Sequence, residues 1–158
     1  MDISISKRLS WDQYFMEIAY LTSQRSNCIK RKVGAIIVKD NRILSQGYNG
    51  TPSGFINCFD GGCKRCNEQY YYDSGKGKDL DLCICLHAEE NCLLFVSKND
   101  LLDSTIYTTL FPCIGCLKKI LQCKIKRIVY KDDYNDEMQK LALELIKDLK
   151  IIVEKISV

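Results

Sequence analysis

Apolar side chains along this chain follow two rhythms, one of three to four residues and one of two. Trp11, Phe15, Ile18 and Leu21 recur at helical spacing, and Ser10 with Gln13 forms a capping box, so a helix is predicted over about 11–26. "VGAIIVKD" (33–40) and "RILSQGYN" (42–49) read as a β-hairpin around a short turn at Asn41. Residues 50–82 hold six of the nine glycines, several cysteines and little periodicity. They are predicted as a long loop, of a kind that is usually functional or held by something. A helix follows from near His87 to about Lys98, then a β-branched and aromatic strand at 104–110. Pro112 opens a helix carrying Cys113, Cys116, Ile120 and Leu121. A strand at 125–131, an amphipathic helix at 135–150 capped by Asn135 and a final strand, "IIVEKISV", complete the chain. This alternation predicts an α/β fold, a five-stranded sheet with helices on both faces. No internal repeat or low-complexity segment interrupts it.

Composition narrows the class. The 158 residues suffice for one domain with a single core, and 46% hydrophobic content with only two prolines excludes a disordered chain. "MDISISKRLSWDQ" has no apolar stretch of signal-peptide type, and no apolar run approaches the ~20 residues of a membrane span. The expectation is a soluble cytoplasmic protein with no membrane partner. A net charge of +3 suits a small anionic ligand and does not mark a nucleic-acid binder. Ten cysteines change the picture most. In a reducing compartment, clustered cysteines usually bind metal or do chemistry. Cys58, Cys63, Cys66, Cys83, Cys85, Cys113 and Cys116 include two CxxC pairs and one CxC.

The chain's one histidine lies in "CICLHAEEN" (83–91). His87-Ala88-Glu89 precedes one predicted helix, and Pro112-Cys113-Ile114-Gly115-Cys116 opens another. At helix N-termini the backbone N–H groups and the dipole favour thiolate over thiol. One imidazole (His87) and two thiolates (Cys113 and Cys116) leave the fourth position of a tetrahedral zinc open to water, as a catalytic site requires. Glu89, close to this ligand set but not needed in it, is the candidate proton shuttle. Glu90 points about 100° away around the helix and reads as a solvated or salt-bridged acid. Cys92 and Cys123 read as small buried hydrophobes.

HxE followed by PCxxC, each at a helix start, is the pattern of zinc deaminases of nucleobases. "RSNCIKRKVGAIIV", "GYNGTPSGFINC", "GGCKRCN", "CICLHAEEN", "FPCIGC" and "VYKDDYND" resemble the deoxycytidylate deaminase family, closest to its fungal branch, over residues ~10–154. The resemblance implies a cytidine-deaminase-like three-layer α/β/α fold with a five-stranded mixed sheet. It implies one deaminase domain over 1–158, with a cysteine-rich zinc-binding loop at about 50–85. The implied reaction is hydrolysis of dCMP to dUMP and ammonia, supplying dUMP for thymidylate synthesis. His87, Cys113 and Cys116 match the family's zinc ligands, and Glu89 its proton shuttle.

The resemblance also gives Asn49 a hydrogen bond to the sugar, although Asn-Gly is equally a turn dipeptide. Phe111 would wall the base, and Tyr134 would lie near base and phosphate. Arg25, Lys30, Arg31, Lys32, Lys64, Arg65 and Lys131 are all available to a phosphate, and the sequence does not choose among them. Some phage members of the family hold a second, structural zinc. Two of its cysteine positions match Cys28 and Cys58, and another ligand falls at Cys85. The fourth position is open between Cys63, Cys66 and Cys83. Six thiolates on one zinc carry excess negative charge, so four are expected to bind and two to remain spare.

Family members are homo-oligomers, hexamers being favoured, activated by dCTP and inhibited by dTTP. Here "GYNGTPSG" beside the cationic "KRK" (30–32) is the expected place for a triphosphate with magnesium. The alternatives are a dCTP or dual dCMP/dCTP deaminase, a tRNA adenosine deaminase, and a non-enzymatic zinc module that binds nucleic acid through knuckles such as Cys63–Cys66. The modest charge and the intact HxE argue against the last.

Overall fold

A computed structural model of the chain describes residues 8–69 and 82–157. Residues 70–81 of the predicted loop, and 1–7 of the stretch read for a signal peptide, lie outside the described residues. The elements are α1 (Trp11–Ser23), β1 (Gly34–Lys39), β2 (Arg42–Tyr48), a 3-10 turn (Cys58–Asp60), α2 (Lys64–Gln69), α3 (Ala88–Leu93), α4 (Lys98–Leu101), β3 (Thr105–Leu110), α5 (Ile114–Gln122), β4 (Arg127–Asp132), α6 (Asp136–Ile146) and β5 (Ile152–Lys155). Among the described residues no helix is long and apolar enough to cross a membrane.

The sheet order is β2-β1-β3-β4-β5. β1 runs antiparallel to both β2 and β3, whereas β3, β4 and β5 are parallel, so the sheet is mixed as expected. The β1–β2 hairpin turns on Asp40 and Asn41, with φ of 50° and 58°. Positive φ at both turn residues matches the twist of the flanking strands. Parallel neighbours need crossovers, and α5 and α6 provide them.

β1 is buried along nearly its whole length and divides the core. Ala35 and Ile37 face a cluster with Ala88 of α3, Leu101 of α4, Leu117 and Ile120 of α5, and Ala142 and Ile146 of α6. Ile36 and Val38 face Phe15, Met16 and Ala19 of α1, with Tyr107 and Val129 beside them. These are the three layers that the pattern and the resemblance imply. Asp12 fastens the start of α1 to the far strands: its carboxylate pairs with Arg127 at 2.7 Å and accepts from the Tyr107 hydroxyl at 2.6 Å, while Arg127 also reaches Glu154 at 3.0 Å.

Three elements depart from expectation. The predicted 11–26 helix stops at Ser23, and its buried stripe is Phe15, Met16, Ala19, Thr22 and Ser23; Trp11 is 56% and Leu21 69% exposed. The helix is rotated because its backbone presses on the sheet at Gly34. A Cβ at that position would lie 2.0 Å from the Ala19 carbonyl oxygen and 2.6 Å from the Ser23 nitrogen. The predicted 87–98 helix is two helices, because the Ser97 hydroxyl accepts from the Asp100 N–H at 3.2 Å and starts α4 afresh. The predicted 50–82 loop contains the 3-10 turn and α2, both in cysteine-bearing segments.

Gly34→Ala should therefore destabilise the fold by about 2–3 kcal/mol through overpacking, read as a lowered urea midpoint. An unchanged midpoint would show that α1 does not press on β1 in this way.

Candidate active site and thiolate cluster

Two helix starts converge to make the site. Leu86 and Gly50 exchange backbone hydrogen bonds of 2.7 and 3.1 Å, which fixes the chain just before His87. His87 is the N-cap of α3 and Cys113 the N-cap of α5, both with extended backbone. α3 also lies against β2, where a Cβ on Gly47 would come within 2.5 Å of the Ala88 carbonyl oxygen. His87 Nδ1 consequently sits 3.3 Å from both the Cys113 and Cys116 sulfurs. A tetrahedral zinc with bonds of about 2.0 Å to nitrogen and 2.3 Å to sulfur needs N···S edges of about 3.5 Å. The donor set and its spacing fit zinc.

Protons are shared unevenly within this trio. The Cys113 thiol is driven down to about 4, first by the hydrogen bond from Cys116 and then by His87, against burial. His87 is held up at about 9, chiefly by the Cys113 sulfur. Cys116 is pushed up, first by Cys113 and then by burial. A metal that requires thiolates and neutral imidazole releases those protons on binding.

Glu89 and its neighbour Glu90 are in opposite surroundings. Glu89 is 4% exposed and accepts from the Thr108 hydroxyl at 3.2 Å. Burial, then the charge of Cys113, pushes its carboxyl above the usual range. Thr108 had no sequence signal beyond its place in a β-branched strand. Glu90 faces outward, pairing with Lys119 at 2.5 Å and accepting from the His87 backbone N–H at 3.1 Å. Partial burial opposes its charge, but Lys119 and the His87 amide leave its pKa lowered. Cys92 is buried and donates to the Ala35 carbonyl at 3.0 Å, and Cys123 is half-buried against the same core.

A cavity of about 90 Å³ opens onto His87, Glu89 and Cys113, and is walled by Asn49, Phe111 and Tyr134. Phe111 is buried edge-on against Tyr130 at 5.0 Å. Asn49–Gly50 is not a turn: neither residue has positive φ, because Gly50 is paired with Leu86. The Asn49 side chain accepts from the Val33 N–H at 2.9 Å and donates to the Arg31 carbonyl at 2.6 Å, so it is held rigid at the cavity wall. Arg25 is exposed beyond the end of α1 and is not among the residues lining the cavity. Lys64 pairs with Glu68, and Lys131 lies over the Tyr20 ring. Arg65 and Arg31 do not line the cavity either: Arg31 pairs with Asp132 at 3.7 Å and Arg65 lies against the Cys66 sulfur, although both charges oppose the burial and the Cys113 charge that raise the Tyr134 hydroxyl. The "KRK" stretch lines a cavity of about 560 Å³ with Cys28 and Phe59, whereas "GYNGTPSG" lines a different one of about 530 Å³ with Asn91 and Phe95.

The remaining candidates come together as well. The sulfurs of Cys28, Cys58, Cys66 and Cys85 lie within 4.8 Å of one another, and so do those of Cys63, Cys66, Cys83 and Cys85. All six form one cluster, with Ile29 packed against it, and none is in a disulfide. The structure does not divide them into four ligands and two spare thiols.

A three-layer α/β/α protein with a His–Cys–Cys zinc site at paired helix N-termini and a buried carboxyl beside it is thus the class that fold and site define. The family model for the cytidine and deoxycytidylate deaminase zinc-binding region matches residues 9–132, and the chain belongs to that family. It is 48% identical over 137 residues to a deoxycytidylate deaminase of Schizosaccharomyces pombe, covering 86% of this chain and 41% of that protein. It is 42% identical over 151 residues to the Saccharomyces cerevisiae deoxycytidylate deaminase, covering 95% of this chain and 46% of that one. The chain therefore spans less than half the length of these two relatives. The crystal structure of dCMP deaminase from the cyanophage S-TIM5, in complex with dCMP and dUMP, superposes with a TM-score of 0.69 at 35% identity over 90% of this chain and 94% of that one.

Glu90→Gln keeps an acceptor for the His87 amide and loses only a half-exposed ion pair. Stability should fall by less than about 1 kcal/mol, with zinc content unchanged by elemental analysis. Loss of the metal from this variant would show that Glu90 holds the site together.

Proposed function

We propose that the chain is one deaminase domain that hydrolyses dCMP to dUMP and ammonia, with His87, Cys113 and Cys116 holding a catalytic zinc. The observation that carries this reading is the buried Glu89 carboxyl beside a ligand trio that leaves one coordination position free. Zinc bound there supplies a Lewis acid that lowers the pKa of a water molecule towards neutrality. Glu89 does the proton work: its raised pKa suits it to take one proton from the attacking water and give it to the ring nitrogen beside carbon 4, then to take the second from the hydroxyl left on carbon 4 and give it to the departing amine. Thr108 orients the carboxyl. The cavity suits a single planar ring, with Phe111 as its apolar wall and Asn49 as a fixed amide for the sugar. The names of the yeast and cyanophage relatives support dCMP as substrate. They give no support to a tRNA adenosine deaminase or a nucleic-acid module.

The six-cysteine cluster reads as a structural zinc site. Cytoplasmic location, a homo-oligomer and control by dCTP and dTTP complete the proposal. Because "KRK" and "GYNGTPSG" line separate cavities, they do not form the single triphosphate and magnesium site expected of them.

Glu89→Gln should retain its zinc and lose roughly 10²–10⁴-fold or more in ammonia release from dCMP. Substantial residual turnover with zinc in place would refute the proton-shuttle role, and turnover of dCTP in preference to dCMP would refute the substrate.

An effector shifts activity only by binding one arrangement more tightly than another, typically by about 1–3 kcal/mol. Initial-rate curves should be sigmoidal in dCMP, become hyperbolic with dCTP and magnesium, and be suppressed by dTTP. Hyperbolic curves indifferent to both nucleotides would refute regulation and leave the reaction standing.

A further inference from the structure

We infer that the six clustered cysteines bind two zinc ions, not one, and that Cys66 and Cys85 bridge them. Two sets of four sulfurs each lie within 4.8 Å of one another, close enough to share one ion, and the sets overlap at those two residues. Cys28 and Cys58 complete one tetrahedron; Cys63 and Cys83 complete the other. With bonds of about 2.3 Å, a tetrahedral zinc holds its thiolates about 3.8 Å apart. The Cys63–Cys83 and Cys66–Cys83 sulfurs are each 3.6 Å apart. Two tetrahedra sharing the Cys66–Cys85 edge use every thiolate in the cluster, and no other arrangement of these two sets does.

Charge favours the same count. One zinc with four thiolates carries two negative charges, and six thiolates on one zinc carry four. Two zincs with six thiolates return to two, so the second ion admits the extra ligands without extra charge. Burial makes this matter: Cys58, Cys63 and Cys66 are fully buried, and Cys28 and Cys85 nearly so. Thiolates so enclosed need a compensating cation. Arg65, itself 7% exposed, supplies part of it, with its guanidinium 3.9 Å from the Cys66 sulfur.

The pair ties together three stretches that share little apolar packing: Cys28 after α1, the Cys58–Cys66 segment, and Cys83–Cys85. Cys85 is separated from His87 only by Leu86, whose backbone pairs with Gly50. A bridging ligand at Cys85 would anchor the catalytic ligand from its N-terminal side.

This rests on reading the cluster as a structural metal site, and the test distinguishes the two failures without using turnover. Zinc in the folded chain is counted by native mass spectrometry, and the zinc is then exchanged for NMR-active cadmium. Three zinc ions per chain are expected, with two all-thiolate cadmium resonances that split one another through the shared sulfurs. Cys63→Ser should lower the count by one ion and abolish the splitting while the Cys28–Cys58–Cys66–Cys85 ion remains. Two ions per chain with a single unsplit thiolate resonance would overturn the pair and leave a mononuclear site. One ion per chain would overturn the structural metal altogether. A Cys63→Ser variant with an unchanged count would also overturn the pair.

Discussion

His87, at the start of α3, has to meet Cys113 and Cys116, at the start of α5, within the span of one metal ion. The sheet order achieves this because β1 and β3 are neighbours. α3 lies over β1 and β2, and α5 leaves the end of β3, so the two helices begin side by side. The approach depends on absent side chains. At Gly47 a Cβ would strike the Ala88 carbonyl, and α3 would lift, carrying His87 away from the thiols. At Gly34, on the other face, a Cβ would strike α1. Two glycines on adjoining strands therefore let both outer layers close on the sheet, and one of those contacts sets the distance at which the metal ligands meet.

Electrostatics then sort groups that look alike in sequence. Glu89 and Glu90 are consecutive, yet one is enclosed beside Thr108, Cys113 and His87 and the other faces Lys119. Enclosure makes the first a better acid near neutral pH, and the ion pair keeps the second charged. Such a split between neighbouring carboxyls is the physical ground on which proton transfer is proposed for Glu89 and not for Glu90. Glu90 is not idle in this division, since it receives the His87 amide and so helps hold the ligand's backbone.

Among the described residues between Gly50 and Cys85, there is little apolar core. Phe55, Ile56 and Phe59 are all more than half exposed. Its order comes instead from sulfur packing, from Asn27, whose side-chain oxygen accepts the Thr51 and Cys58 N–H groups, and from the Gly50–Leu86 bridge. Arg65 is buried against this cluster, with its guanidinium 3.9 Å from the Cys66 sulfur.

Local sequence was enough for the order of the five strands and of the helices α1, α3, α5 and α6, for the Ser10 capping box, for the hairpin and for the residues proposed to bear the chemistry. His87–Glu89 and Cys113–Cys116 are spacings of two and three residues at helix starts, and such short-range geometry is written directly in the chain. Tertiary structure alone decided which face of α1 is buried, because that depends on a glycine in β1 rather than on the helix's own periodicity. It broke the 87–98 helix at Ser97, made Asn49–Gly50 an extended bridge and gave Thr108 to Glu89. It also gathered into one cluster six cysteines spread from Cys28 to Cys85, four of which sequence reasoning had set aside for a single ion. Each of these outcomes depends on contacts between residues far apart in the chain, and local hydrophobic rhythm carries no record of which distant backbone will come close.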